Sequence, residues 1–128
     1  MNWIAAGVIA AFAAFFTNRL TYRVWEDTAL LGPVPLAEEV IKTMLAYSLG
    51  AGIFLTHLVF GIMEAILDWR GQSRGLPAAA SAVIAHSIFG LVTVVVSQKA
   101  GMLGAGIAIS FLVHALWNAV MLFRTVKR

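Results

Sequence analysis

Long apolar segments separated by short polar ones run through the whole chain. Five such segments predict helices at about 3–20, 36–49, 53–69, 76–98 and 101–124. Their lengths approach or reach the ~20 residues that a helix needs to cross a bilayer. We therefore predict an all-α fold, a polytopic transmembrane bundle of four to five helices that forms a single integral-membrane domain over residues 1–128.

Composition supports the membrane class and excludes several others. The chain of 128 residues is 61% hydrophobic and 12% charged, whereas soluble domains are about 45–50% apolar and about 25% charged. A soluble protein of this size cannot bury so much apolar surface. The formal charge of +3 is small and lies at segment ends, which indicates membrane topology rather than nucleic-acid binding. The chain has no cysteine, so the sequence carries no information on thiol chemistry or redox compartment.

The apolar stretch 36–69 is either one long helix or two short ones. A single straight helix would be about 50 Å long, well beyond a hydrocarbon core of about 30 Å. Gly50 and Gly52 lie near the middle of the stretch. The positive-inside rule places three basic clusters in the cytoplasm, namely Arg19 with Arg23, Arg70 with Arg74, and Arg124 with Lys127 and Arg128. This placement favours a hairpin that turns at Gly50–Gly52, and hence five helices, over one tilted helix and four spans.

Several ionisable side chains lie inside the apolar segments: Glu38, Glu39, Lys42, His57, Glu64, His86 and His114. An intramembrane charge costs about 2.5–3.5 kcal/mol on insertion scales, so each is a functional candidate. Simpler explanations also exist. Glu38 can pair with Lys42 at i, i+4 in the first turns of a helix, and Glu64 can snorkel toward the end of its helix. His57 is expected to be structural.

The hairpin brings the two groups of carboxylates to similar depth. Glu39 lies twelve residues before Ala51 and Glu64 lies thirteen after it, whereas in one continuous helix the two would be about 37 Å apart. By the same rise, His86 and His114 lie about 15–18 Å from the cytoplasmic ends, which is about 5–10 Å deeper than the glutamates. The hairpin therefore predicts one buried polar zone in the cytoplasmic half.

The residue types in this zone suit hydrolysis. A carboxylate in a low-dielectric site is a stronger base than in water, and imidazole shares that role or donates to a developing oxyanion. Asn118, one turn after His114, adds an amide donor. These groups are the components of a hydrolase that attacks an amide with activated water. His and Glu are also zinc ligands, although the HExxH pattern of zinc proteases is absent.

Four short motifs occur in order along the chain. They are EEVIK (38–42), FGIME (60–64), HSIFG (86–90) and HALWN (114–118). The set resembles the CPBP superfamily of intramembrane proteases, which includes the CAAX prenyl endopeptidases and the PrsW proteases. Lys42 after the glutamate pair, and Glu64 in the second motif, are more similar to the PrsW branch.

The resemblance implies a glutamate-dependent peptidase with no cofactor and no essential metal. Glu38 and Glu39 would carry the base that activates water, together with His86, while His114 and Asn118 would stabilise the oxyanion. Glu64 takes the place that histidine holds in CAAX enzymes and would orient water or tune a neighbouring group. Lys42 and Phe60 are expected to support these residues.

The sequence thus predicts an endopeptidase of a prokaryotic cell membrane, with its active site toward the cytoplasmic half. Its expected partners are a membrane-bound or lipid-anchored peptide or protein and the lipid bilayer, without nucleic acid, and a homo-oligomer is compatible with so small a bundle. Alternatives are a non-enzymatic scaffold or immunity-type protein, and a small ion or proton carrier that uses the buried glutamates and histidines. A structural subunit whose polar groups hold helices together is a further alternative.

Overall fold

The computed structural model describes residues 2–70 and 75–126, and these residues form five α-helices. The helices are α1 (Asn2–Trp25), α2 (Pro33–Ser48), α3 (Ile53–Arg70), α4 (Gly75–Ala100) and α5 (Leu103–Val126), and a 3₁₀ helix (Glu26–Leu31) connects α1 to α2. The predicted all-α class is confirmed. Of the basic residues used to predict topology, Arg74, Lys127 and Arg128 lie outside the described residues.

Helix α1 extends past its predicted end at residue 20. The amphipathic segment that follows Leu20 continues the helix to Trp25, because it contains neither glycine nor proline before that point. The helix then stops at Glu26, whose φ of 48° is incompatible with a right-handed helix. The 3₁₀ helix and Pro33, at the first turn of α2, complete the connection.

A glycine turn separates α2 from α3. Gly50 adopts a φ of +60°, a conformation that glycine takes without strain. The Gly50 N–H donates to Tyr47 O at 3.2 Å and the Ala51 N–H donates to Ala46 O at 2.8 Å, which is the bond pattern of a Schellman motif. The predicted break at Gly50–Gly52 is confirmed, and a single helix over residues 36–69 is wrong.

In the described part of the chain, three helical segments are long and apolar enough to cross a membrane. They are Asn2–Leu31, Gly75–Ala100 and Leu103–Phe123. Large apolar side chains on their outer faces are exposed, as at Phe12, Phe16 and Leu116, which suits contact with lipid. Helix α2, with 16 residues, is shorter than a typical span. The three long helices suggest a membrane location.

Small residues allow the helices to approach one another closely. The buried face of α1 consists of Ala6, Gly7, Ala10 and Ala14. A Cβ atom added at Gly7 would lie 2.5 Å from Val59 Cβ on α3, and one added at Gly90 on α4 would lie 2.7 Å from His57 Cβ. Such close packing by small residues is common between membrane helices, and here it brings polar side chains of different helices into contact.

The centre of the bundle is polar. Ten polar or charged residues are buried there: Glu38, Glu39, Lys42, Thr43, Thr56, His57, His86, Thr93, Ser110 and His114. Ionisable groups in a membrane protein face the bundle interior in this way because lipid cannot solvate them. The helices therefore enclose the predicted site residues rather than a purely apolar core.

Candidate functional site

Glu39 lies at the centre of the polar cluster and has no exposed surface. Its Oε1 accepts a hydrogen bond from Lys42 Nζ at 2.5 Å and lies 2.9 Å from Nδ1 of His114. Its Oε2 accepts a hydrogen bond from the Ser110 hydroxyl at 2.6 Å. A buried carboxylate is stable only with such donors, because an uncompensated charge is costly in a low dielectric. Glu39 therefore links α2 to α5.

Lys42 connects Glu39 to a second carboxylate through His86. Its Nζ lies 3.0 Å from His86 Nδ1, and His86 Nε2 lies 2.5 Å from Oε2 of Glu64. An ammonium group can only donate, so Nδ1 of His86 accepts and the ring proton lies on Nε2, which donates to Glu64. Four side chains on α2, α3 and α4 thus form one continuous chain of hydrogen bonds.

These contacts correct two of the simpler explanations for the charged residues. Lys42 does not pair with Glu38 at i, i+4 but with Glu39 at i, i+3. Glu39 and Lys42 are both fully buried in the centre of the bundle. Glu64 does not snorkel away along α3 but turns inward to His86. Both charged residues are therefore part of the polar cluster.

His114 faces Glu39 with one nitrogen and Glu38 with the other. Its Nδ1 donates to Glu39, so in the neutral form of the imidazole Nε2 is an acceptor. Nε2 lies 3.9 Å from Glu38 Oε2, which is buried and has no hydrogen-bond partner among the described residues. The other carboxylate oxygen of Glu38 accepts from Asn18 Nδ2 at 2.6 Å. Two acceptors at this separation can share a bridging water.

A pocket of about 140 Å³ opens beside these residues, between α4 and α5. Its polar lining includes Glu64, His86, His114 and Asn118. Its apolar wall consists of Ala78, Ala82, Ala85, Phe89, Trp117 and Met121. The side chain of Glu64 is 41% exposed, whereas that of Glu39 is 0% exposed. The pocket therefore reaches Glu64 and His114 but not Glu39.

The remaining predicted residues surround this arrangement. Asn118 lines the pocket and donates from Nδ2 to Leu30 O at 3.0 Å, which ties α5 to the 3₁₀ helix. The ring of Phe60 packs edge-on against His86 with a centroid separation of 4.8 Å, and Lys42 Nζ lies 4.6 Å from its centroid. Phe60 thereby stabilises both the imidazole and the ammonium group.

His57, expected from the sequence to be structural, contacts the same cluster. Its Nε2 lies 3.2 Å from the Thr43 hydroxyl, across the α2–α3 hairpin. Its Nδ1 lies 3.8 Å from Glu39 Oε2 and has no hydrogen-bond partner in the described part of the chain. The bond to Thr43 also shows that α2 and α3 pack antiparallel, since the two residues flank the turn at similar distances.

The predicted gathering of glutamates and histidines in one buried polar zone is observed. Glu39 contacts His114 and Glu64 contacts His86 directly, so the side chains span the depth difference expected from the helical rise. The 3₁₀ helix that precedes α2 is held against Asn118 of α5 through Leu30. The first turn of α2 is packed inside the bundle, where Val34 and Pro35 are buried.

Sequence reasoning missed Ser110 and Asn18, which donate hydrogen bonds to Glu39 and Glu38. Ser110 precedes His114 by one turn of α5 and so shares its face, which is a signal that could have identified it. Asn18 is one polar residue near the end of an apolar segment, and its contact with Glu38 depends on how α1 packs. No local pattern indicates that packing.

Among residues 2–70 and 75–126, no group of three or more His, Cys, Asp or Glu side chains is arranged to hold a metal ion. Comparisons of the chain with protein-family models, curated proteins and solved structures gave no match. The function is therefore inferred from the motifs and the geometry of the site, and the resemblance to CPBP proteases stays a prediction.

Proposed function

We propose that this protein is a membrane peptidase that hydrolyses a peptide bond of a membrane-bound or lipid-anchored substrate. One observation carries the proposal. The four motifs are spread over residues 38–118, yet their polar side chains meet around Glu39, Lys42 and His86. Three of the four motifs also contribute residues to the lining of one pocket, through Glu64, His86 and His114. Such convergence of costly buried groups on a cavity is typical of a site that performs chemistry.

The geometry favours Glu38 and His114 as the bases that activate water. A water that donates to Glu38 Oε2 and to His114 Nε2 is polarised by both acceptors, which lie 3.9 Å apart. One base removes a proton as the water oxygen attacks the carbonyl carbon. It returns that proton to the leaving amine when the tetrahedral intermediate collapses, and the C–N bond breaks.

Glu39 and His86 take other roles in this mechanism than those the resemblance implied. Glu39 is enclosed and accepts the Nδ1–H of His114, so it holds the imidazole in the tautomer whose Nε2 is a base. Both nitrogens of His86 are engaged, by Lys42 and by Glu64. His86 is therefore a positioning residue in the proposed mechanism. Of the residues that the resemblance assigns to the base, namely Glu38, Glu39 and His86, the proposal keeps Glu38 in that role.

Asn118 remains the proposed oxyanion donor. A side-chain amide carries two N–H groups, and the bond to Leu30 O occupies one of them. The second N–H of Asn118 can donate to a substrate oxygen, because this side chain lines the pocket beside His114. Removing one oxyanion donor typically costs about 10²–10³ in turnover, so Asn118→Ala is expected to lower the rate by that factor.

The proposed location of the active site is the cytoplasmic half of a prokaryotic membrane. Arg19 and Arg23 lie near the end of α1 and Arg70 is the last residue of α3. The pocket is lined by the first half of α4 and the second half of α5, as at Ala78 and Met121. The positive-inside rule assigns these helix ends to the cytoplasm.

Hydrolysis is tested with the purified protein in liposomes that contain a library of single-span peptides, with products identified by mass spectrometry. We expect cleavage by the wild type and a loss of about 10²–10⁴ in rate for Glu38→Gln and for His114→Gln. Asp27→Asn is the matched control, because it removes an exposed carboxylate of the 3₁₀ helix. Failure of the wild type to cleave any peptide, or undiminished cleavage by both variants, would falsify the proposal.

A second candidate, proton transport, is favoured by the chain of hydrogen bonds itself. Glu39, Lys42, His86 and Glu64 connect a fully enclosed carboxylate with a partly exposed one, as in proton relays of membrane carriers. Liposomes loaded with a pH-sensitive dye distinguish the two functions. Proton flux that Lys42→Met abolishes, without any peptide cleavage, would favour the carrier.

A further inference from the structure

The polar cluster contains more carboxylates than cations. It holds Glu38, Glu39 and, through its bond to His86, Glu64, but one lysine, and Lys42 binds Glu39. Glu64 is held by His86, whose ring is neutral because Nδ1 accepts a hydrogen bond from Lys42. Oε2 of Glu38 has no hydrogen-bond partner in the described part of the chain. Two carboxylates therefore lack a lysine or arginine partner there.

Of these two carboxylates, that of Glu64 lines the pocket. Its side chain is 41% exposed, and His86 fixes its orientation through a bond to Oε2. The described lining of the pocket contains no lysine or arginine, and it includes the indole of Trp117. A fixed carboxylate beside an aromatic ring in a low-dielectric recess attracts a cation through both charge and ring quadrupole.

The pocket is also large enough for an alkyl chain with a terminal charge. Its volume of about 140 Å³ is about ten times the least volume that holds one water. Ala78 and Ala82 on α4 provide an apolar wall for methylene groups. The shape and charge together suit a long, flexible amine rather than an inorganic ion.

We propose that this pocket binds a primary alkylammonium group, namely the lysine side chain of a membrane-embedded peptide. The identification of the ligand as part of a substrate rests on the proposed function, whereas binding itself requires no cleavage. Peptide spans carry lysine at their cytoplasmic ends, which is the end of the bundle to which the proposed topology assigns the pocket. The pocket thus selects substrates with a lysine near the scissile bond.

Binding is tested with n-butylammonium, which reproduces the four carbons and the charge of a lysine side chain. The full chain in lipid nanodiscs carries Trp3→Phe, Trp25→Phe and Trp69→Phe, so that Trp117 is the only fluorophore of its kind. We expect a saturable change in Trp117 fluorescence with n-butylammonium, and none with n-butanol or butyrate at the same concentrations. Glu64→Gln should weaken binding about tenfold or more, whereas Asp27→Asn should leave it unchanged.

Equal binding of n-butanol, or unchanged binding in Glu64→Gln with a native circular dichroism spectrum, overturns the inference. If Glu64→Gln unfolds, the fluorescence response of Ala78→Leu to n-butylammonium decides in its place. Wild-type Trp117 then has to respond to the amine and lose that response when Ala78→Leu narrows the pocket. Peptide cleavage separates this inference from the proposed function. If peptides are cleaved with no preference for lysine over norleucine, the lysine pocket is wrong and the peptidase proposal stands. If the pocket binds the amine but no peptide is cleaved, the peptidase proposal is wrong and the binding of an alkylammonium group stands.

Discussion

Nζ of Lys42 lies 3.0 Å from Nδ1 of His86 and 2.5 Å from Oε1 of Glu39, with all three side chains buried. One ammonium group thereby neutralises a carboxylate on its own helix and fixes the tautomer of an imidazole on α4. The contact makes Lys42 a structural link between the two carboxylates at the ends of the hydrogen-bond chain. Its replacement should affect both stability and protonation.

Replacing Lys42 with methionine should strongly destabilise the protein. The variant leaves Glu39 buried without its cation, and breaking a buried ion pair from one side typically costs about 3–5 kcal/mol. Chemical unfolding in detergent micelles, followed by circular dichroism, measures the loss. The double variant Lys42→Met with Glu39→Gln should recover much of it, because the remaining side chain is neutral. A double variant no more stable than the single one would contradict this explanation.

Gly7→Ala should destabilise the packing of α1 against α3. The added Cβ would lie 2.5 Å from Val59 Cβ and 2.9 Å from the carbonyl oxygen of Thr56, so the helices must separate, at a cost of about 1–3 kcal/mol. Gly104→Ala on α5 is the matched control, since a Cβ there meets nothing within 4 Å. Replacing an unstrained, exposed glycine by alanine typically stabilises a protein by about 0.4–1 kcal/mol. Thermal unfolding of both variants should therefore shift in opposite directions.

Much of the fold follows from short-range signals in the sequence. Apolar segment lengths predict the helices, and Gly50 predicts the α2–α3 turn because its φ of +60° favours a residue without a side chain. The end of α1 was harder to predict from the sequence. A helix that leaves the membrane can continue into an amphipathic segment, and the sequence contains no glycine or proline there to mark the stop.

The sequence predicted most of the residues that form the candidate site, but not which of their side chains contact one another. The hairpin predicted that Glu39 and His114 lie in one buried polar zone. The alternative pairing of Lys42 with Glu38 rested on i, i+4 spacing, but i, i+4 and i, i+3 partners are equivalent on an isolated helix. Packing of α2 against α4 and α5 decides between them. The contact of Asn18 with Glu38 joins residues twenty positions apart on different helices, so it too depends on tertiary packing.

Replacing Asn18 with leucine should weaken the site through Glu38. Asn18 Nδ2 donates to Glu38 Oε1 at 2.6 Å, and a buried carboxylate that loses a donor is destabilised by about 1–3 kcal/mol. Peptide hydrolysis should fall at saturating substrate, because Glu38 is misplaced, while apparent substrate affinity changes little. Thr28→Val, which removes an exposed side-chain hydrogen bond in the 3₁₀ helix, is the control. A change confined to substrate affinity would contradict this role.

Narrowing the pocket should impair substrate binding without affecting the fold. Ala78 lines the pocket, whereas Ala80 two residues later on α4 is exposed on the outer surface. Ala78→Leu should raise the substrate concentration needed for half-maximal cleavage, because the larger side chain occupies the recess. Ala80→Leu should have no effect in the same assay. Equal effects of the two variants would show that bulk on α4, rather than the pocket, limits the reaction.

The hairpin arrangement predicts which ends of the helices share a side of the membrane. The natural chain has no cysteine, so single-cysteine variants react with an impermeant maleimide at one known position. Tyr47 and Met102 are 68% and 61% exposed, and Trp25 and Trp69 are 55% and 69% exposed. In intact cells we expect labelling of Tyr47→Cys and Met102→Cys, because both lie at turns on the outer side. Trp25→Cys and Trp69→Cys should react only after permeabilisation. If Tyr47→Cys and Trp69→Cys were both labelled from the same side of the membrane, Glu39 and Glu64 would lie apart and the proposed site would not form.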